Sequence, residues 1–389
     1  MVCDSPTVAA AQSEETLQAV RKKIQNMIVE LFARDETQEV LESHCAGDEI
    51  IALMEQREEL SKLGPDQDLG MPAGVRRVTA WLMAYLMTNL KLSDRAWFDA
   101  VTLMDDYSQR VGGEGNGVPA RWQREVPALC VAIVRLVKKI EDAEAPSQHD
   151  EYVYKEFIQY LAKWLQTLGY DVEGWENVST NVQEQHVLMT TKLCLPTVES
   201  WLLVFCTRLN VVAQRAVMQK ENVRWQDTIN KLWQQGIGFA RLVLLNRATN
   251  GELRPRRLAQ GLLAIGLIIS KLLPVQAMNF EVGSAEWEWF EAQTPPQSKE
   301  GEEQMIFMMH QHEFLLELMQ VATGTDLDEL IQDCWHILQV LSSLKLAVSH
   351  QQVSGLQRPE FIVSNDLNNK FSTEQVSGDE GLIFKGKSA

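Results

Sequence analysis

The chain is poor in basic residues: 36 Lys and Arg stand against 53 Asp and Glu, a formal net charge of −17 over 389 residues. Nucleic-acid backbones are bound by neutralising them, so this balance argues against a general nucleic-acid binder, and an anionic membrane leaflet repels it. It has no apolar run of the ~20 residues that a membrane-spanning helix needs; the most apolar stretch, Gly261 to Ile269, covers about half of that. The first residues, Met1 to Glu15, show no basic segment followed by an apolar one, so no secretory signal is expected. No CxxC pair occurs among Cys3, Cys45, Cys130, Cys194, Cys206 and Cys334. That excludes the common zinc spacings and predicts buried, reduced thiols in an intracellular protein of the nucleus or cytoplasm. GxSxG, HExxH and Walker sequences are absent as well.

What is there is apolar material at helical period. Leu17, Val20, Ile24, Met27, Ile28 and Leu31 recur every three or four residues, with Ser13 placed to cap that helix. Ile50, Ile51, Met54 and Leu60 mark a second helix, closed by the turn-rich Leu63-to-Gly70 stretch before Pro72. Val78, Trp81, Leu82, Tyr85 and Leu86 form one stripe. Ser93 and Asp94 start another helix, with Trp97, Ala100, Val101 and Met104 facing inward. Pro127 to Ile140 is apolar around most of its circumference, the pattern of a helix in the middle of a bundle, and a further helix covers Tyr152 to Leu168. The pattern then restarts. Thr197 to Leu209, Leu232 to Leu245 and a run opening at Pro255 again lead to a helix apolar nearly all round. Ala285 to Gln304 reads as a solvated loop, and Thr325 with Asp328 as a near capping box for a helix bearing Leu330, Cys334 and Leu338. The text after Ser349 is polar. An all-α chain built of two similar bundles in tandem, with extra N-terminal helices, is the architecture this predicts.

The search for chemistry returns little. His310-x-His312-Glu313 is the best metal candidate, but residues two apart do not share a helix face, so no metal is expected. The glycine-rich Val111-to-Gly117 connector has helices rather than a strand before it, which argues against a phosphate loop. Asp105 and Asp106 point about 100° apart on a helix and make no acid–base pair; Asp94 and Asp99 read as caps and solvated faces. No catalytic residue and no cofactor are expected.

An ordered series of segments resembles one family. Arg76-Arg-Val-Thr-Ala-Trp-Leu82, Leu90-Lys-Leu-Ser93 and Ala100-Val-Thr-Leu-Met-Asp105 resemble the opening of a cyclin box. Val137-Lys-Lys-Ile-Glu-Asp142 is similar to the end of the box's central helix, and Glu184-Gln-His-Val-Leu188 with Leu195-Pro-Thr197 to its fifth helix and exit. Arg254-Pro-Arg-Arg-Leu-Ala259 resembles the central helix of the second repeat, Ala322-to-Leu330 with Cys334 the late segment of mitotic, A/B-type cyclins, and Asp48-Glu-Ile-Ile51 the helix ahead of the box.

The resemblance, running from about residue 46 to about 376, implies a divergent two-box mitotic cyclin with tandem five-helix cyclin folds. The implied division is an N-terminal extension with one amphipathic helix (1–45), a pre-box helix and linker (46–72), the first box (73–195), the second (196–350) and a polar tail (351–389). The implied function is that of a non-catalytic regulatory subunit, which binds and activates a cyclin-dependent protein kinase and controls cell-cycle progression. In the alternative reading it is a double cyclin-fold scaffold for a non-kinase partner such as transcription machinery. By the same resemblance Lys139 and Glu184 bind the kinase, with Ile140, Ile50, Ile51 and Met54 around them. Val78 and Trp81 remain of a degenerate patch for substrates or inhibitors. Val75 stands where the family has an arginine, so the partner of Asp105 falls to Arg76, with Arg77 beside it.

Overall fold

The structure, a computed structural model of the 389-residue chain, describes residues 19, 22–61, 70–112, 118–142, 147–167, 180–215, 225–246, 254–270, 272–273, 283–284, 288–290 and 312–343. Every regular element among the described residues is a helix. The longer ones are α1 (22–33), α2 (Asp35–Ser43), α3 (Asp48–Leu60), α4 (Ala73–Asn89), α5 (Asp94–Gly112), α6 (Val118–Asp142), α7 (Gln148–Thr167), α8 (Thr180–Thr190), α9 (Val198–Arg215), α10 (Trp225–Asn246), α11 (Pro255–Ile269), α12 (His312–Thr323) and α13 (Leu327–Ser343); residues 288–290 are helical as well, with Trp289 and Phe290 buried where a solvated loop is expected. None of these is long and apolar enough to cross a membrane. The expected cap Ser13, the glycine run 113–117 and the tail from 351 lie outside the described residues.

The chain divides into two compact units. Of the described residues, one comprises those within 54–199 and 238–256; the other comprises those within 19–53, 200–237 and 257–343. In the first, α6 packs against α4, α5, α7 and α8, as its all-round apolar text predicts. Residues 126 to 134 are all buried. The helix nonetheless starts well before the expected Pro127, which lies inside it. An interior proline removes one backbone hydrogen bond and costs ~3 kcal/mol. Burial of each neighbouring Val, Leu or Ile is worth ~1.5–3 kcal/mol, and several such residues surround it, so packing wins.

In the second unit α11 is buried from Leu258 to Ile269. Gly261 lets α13 approach so closely that a β-carbon there would lie 3.1 Å from the Asp333 carbonyl carbon. The Cys334 thiol, whose pKa burial pushes up, points at the Gly261 carbonyl, 3.5 Å away. The N-terminal helices are pinned through Arg208. Its guanidinium donates to the Ala46 carbonyl at 3.0 Å and to Asp48 at 2.8 Å, and lies 4.7 Å over the Phe32 ring.

Three helix ends leave through a left-handed residue. At α2, Ala46 N–H returns to Leu41 O (2.7 Å) and Cys45 N–H to Glu42 O (3.0 Å); at α4, Leu92 returns to Met87 (3.0 Å) and Lys91 to Thr88 (3.1 Å). This is the Schellman pattern, with the penultimate residue left-handed. Glycine fills that position after α12 (Gly324, φ 68°), but Cys45 (φ 54°) and Lys91 (φ 56°) fill it elsewhere. The expectation of buried thiols therefore holds for Cys130, Cys206 and Cys334 but not for Cys45 and Cys194, which are exposed at left-handed turns. The expected Thr325 cap also differs. Asp326 accepts from Glu329 N–H at 2.9 Å, while the Thr325 hydroxyl turns inward and donates to Gln260 at 2.8 Å.

An L-residue in the left-handed region costs ~1–2 kcal/mol that glycine does not incur. Lys91→Gly is therefore expected to raise stability by about 1 kcal/mol, because Lys91 is exposed and its side chain contributes little packing. An unchanged or lower urea midpoint would contradict this account of the turn.

Candidate functional site

The residues singled out for partner binding fall on α3, α6 and α8. Helix α6 carries Arg135, Lys138 and Lys139 at its C-terminal end, just past its fully buried segment. Helix α8 packs against it and offers Glu184. The structure brings Lys139 and Glu184 together: the ammonium donates to Oε1 across 45 residues of sequence. The two partners differ in exposure. The Glu184 side chain is 8% exposed and that of Lys139 is 37% exposed, so the carboxylate lies inside and the ammonium at the rim.

The neighbouring Lys138 is engaged otherwise. It contacts Asp142 at 2.6 Å and Asp150 at 3.8 Å, and the Asp142 hydrogen bond holds its pKa above the ordinary range. Asp150 belongs to a capping box that the sequence reading passed over. Its carboxylate accepts from Ser147 N–H at 2.8 Å while Ser147 Oγ accepts from Asp150 N–H at 3.2 Å.

Arg135, one turn before Lys139, was also passed over. Its Nε lies 3.4 Å from Glu184 Oε2 and its Nη2 lies 2.9 Å from Glu151 Oε1. A signal existed: an arginine at i−4 from Lys139 interrupts an otherwise apolar face, and i,i+4 residues share a side of the helix.

The apolar residues expected around the pair behave unequally. Ile140 is 47% exposed beside Lys139. On α8, Val182, Leu188 and Met189 are exposed, and Leu188 lies one turn beyond Glu184 on the same face. On α3, Ile50, Ile51 and Met54 are half-buried; Ile50 and Ile51 belong to the unit that does not contain Lys139 and Glu184, while Met54 belongs to the one that does.

Of the docking patch, Val78 and Trp81 are half-buried. Trp81 stacks on Tyr85 with ring centroids 6.2 Å apart, and Tyr85 leans on Phe157 at 6.5 Å. Gly74 and Arg77 are exposed beside them.

The frame beneath these side chains depends on a buried ion pair. Arg76, 1% exposed, donates from Nε to Asp105 Oδ1 at 2.7 Å and from Nη2 to Oδ2 at 2.8 Å. Its Nη1 donates to the Leu244 carbonyl. Asp106 points elsewhere, to Arg110 at 2.8 Å and Lys192 N–H at 3.2 Å, so the adjacent carboxylates serve separate partners. Removing one member of such a pair strands the other charge and costs ~3–5 kcal/mol. Arg76→Met is expected to lower unfolding free energy by about that amount. A loss under about 1 kcal/mol would show that Asp105 is compensated elsewhere.

Asp99 is not the solvated face expected of it. Desolvation pushes its pKa from 3.8 up to about 6, with Glu199 and Glu141 adding to the rise and Arg95, 4.0 Å away, opposing it. The folded state therefore holds this proton more tightly than the unfolded chain. The associated stability is complete below about pH 4 and is lost as pH rises through about 6. Asp99→Asn is expected to flatten the stability profile across that window and to be more stable than the wild type above it. Parallel profiles for the two proteins would refute the assignment.

Among the described residues, no group of three or more His, Cys, Asp or Glu side chains is placed to hold a metal ion. His310 lies outside them and His312 opens α12. Comparison with protein-family profiles, curated proteins and solved structures finds no match for the chain.

Proposed function

We propose that the chain is a divergent two-box cyclin that docks on a cyclin-dependent protein kinase and activates it, acting in cell-cycle control inside the cell, in nucleus or cytoplasm. One observation carries the reading: Lys139 and Glu184, assigned to the kinase grip by resemblance alone, meet across α6 and α8. They do so at a rim with exposed Ile140, Leu188 and Met189 on the same two helices. Central α6 with four helical neighbours, and a second unit with its own buried helix α11, fit a tandem cyclin fold.

The mechanism requires no chemistry from this chain. A kinase is switched on when its mobile helix is held where a catalytic Lys–Glu pair forms. A rim ammonium donates to carbonyls of the segment leading into that helix, and the carboxylate behind it holds the ammonium at the rim until the partner arrives. Apolar neighbours exclude water and strengthen the contact. The unequal exposure makes Lys139 the reaching group and Glu184 its anchor.

Truncating one partner of a desolvated charge pair costs ~2–5 kcal/mol of affinity. Lys139→Ala and Glu184→Ala are each expected to weaken the complex with a purified cyclin-dependent kinase catalytic subunit by about 2 kcal/mol, roughly 30-fold. Calorimetry that found both variants binding as tightly as the wild type would place the interface elsewhere. Wild-type protein that binds no kinase subunit would favour the scaffold reading.

A further inference from the structure

Glu184 is contacted by two cations on one helix, and they are not equivalent. Lys139 is 37% exposed and flexible in kind. Arg135 is 11% exposed and held on three sides: Nη2 is 2.9 Å from Glu151 Oε1, Nη1 donates to Thr180 Oγ1 at 3.2 Å, and the guanidinium lies 5.6 Å over the Tyr154 ring. Its Nε–H, buried, makes no hydrogen bond, yet sits 3.4 Å from Glu184 Oε2. That is a charge contact just short of a bond. What is missing is aim as much as distance: a small turn of the guanidinium with a shift of about half an ångström would close it into the ordinary N–H···O range.

A buried carboxylate cannot lose its counter-charge without a large desolvation penalty. If Lys139 were the sole cation at Glu184, turning its ammonium toward a docked chain would incur that penalty. A fixed guanidinium with an unfilled donor removes the obstacle. We propose that Arg135 is the standing counter-charge of Glu184, and that its Nε–H takes the carboxylate over when Lys139 turns outward. The docked chain belongs to the reading above; the counter-charge and the handover are properties of the free protein. Arg135 is thus a positioning residue, acting on a partner through Glu184 and Lys139.

The test is a set of double-mutant cycles on the full chain by guanidinium denaturation. Arg135→Met is expected to lower the midpoint, and this loss to fall by about half or more in a Glu184→Gln background. Lys139→Met is expected to leave the midpoint nearly unchanged. In a Lys139→Met background, which mimics the withdrawn ammonium, the coupling between Arg135 and Glu184 is expected to grow. Equal Arg135→Met losses with Glu or Gln at position 184 would reduce Arg135 to its contacts with Glu151, Thr180 and Tyr154 and overturn the proposal. Coupling that fails to grow when Lys139 is removed would overturn the handover. Should Arg135→Met not fold, Arg135→Lys, which keeps the charge but loses the Nε–H and the fork, is expected to lower the midpoint by less, with that loss again smaller in the Glu184→Gln background; an equal loss in both backgrounds would overturn the proposal. Failure of the wild type to bind a kinase subunit would sink the functional reading and leave these cycles to decide Arg135 alone.

Discussion

Taking the Glu184 carboxylate out of water is tolerable only because α6 sets cations against it. Two charges buried together break even at best unless geometry is good and remaining donors are met. Here the geometry comes from a helix whose preceding two turns are wholly buried and cannot rotate. The rigidity of residues 126 to 134 is what lets Arg135 and Lys139, a turn apart, face α8 with a fixed bearing. Were α6 an ordinary amphipathic surface helix, its last turn could fray and the ammonium would have no defined direction.

The same logic recurs below the surface. Each unit contains a largely buried guanidinium–carboxylate contact in its core. Arg76 takes both oxygens of Asp105. In the other unit Arg257 donates to Asp333 at 2.6 Å, while Gln260 reaches the other oxygen and Thr325 reaches Gln260. Burial pushes the Asp333 pKa up and these donors oppose the rise. Such pairs add little net stability but penalise alternative packings in which one member is left alone. Fixed positioning of this kind is what the proposed docking role would require of the core.

Much of the fold was legible, and the reasons are specific. The central position of α6 was readable because a helix apolar on every side has nowhere else to go. Ser93 was readable as a cap: its hydroxyl accepts from Ala96 N–H at 3.3 Å. Pro255 opens α11 as the first-turn rule requires. Other features escaped because they depend on partners distant in sequence. Helix α2 is short and polar, and nothing in its text announces Thr37 and Leu41 as buried. The extension of α6 through Pro127 is decided by tertiary packing, which overrides the local signal. Thr325 lost its capping role to Asp326 because Gln260, on another helix, claims its hydroxyl. Of the site, Lys139 and Glu184 came from resemblance rather than from spacing, and Arg135 came from neither, since its role exists only once α7 and α8 close over it.

The central claim is that this surface switches a kinase on. Its most direct measurement is phosphate transfer to a histone-type substrate by a purified cyclin-dependent kinase catalytic subunit, with and without the chain. The account predicts that adding the protein raises the rate by at least about a hundredfold, a difference of roughly 2.7 kcal/mol in the barrier. A catalytic subunit that stays as slow in the presence of saturating protein as in its absence would contradict it.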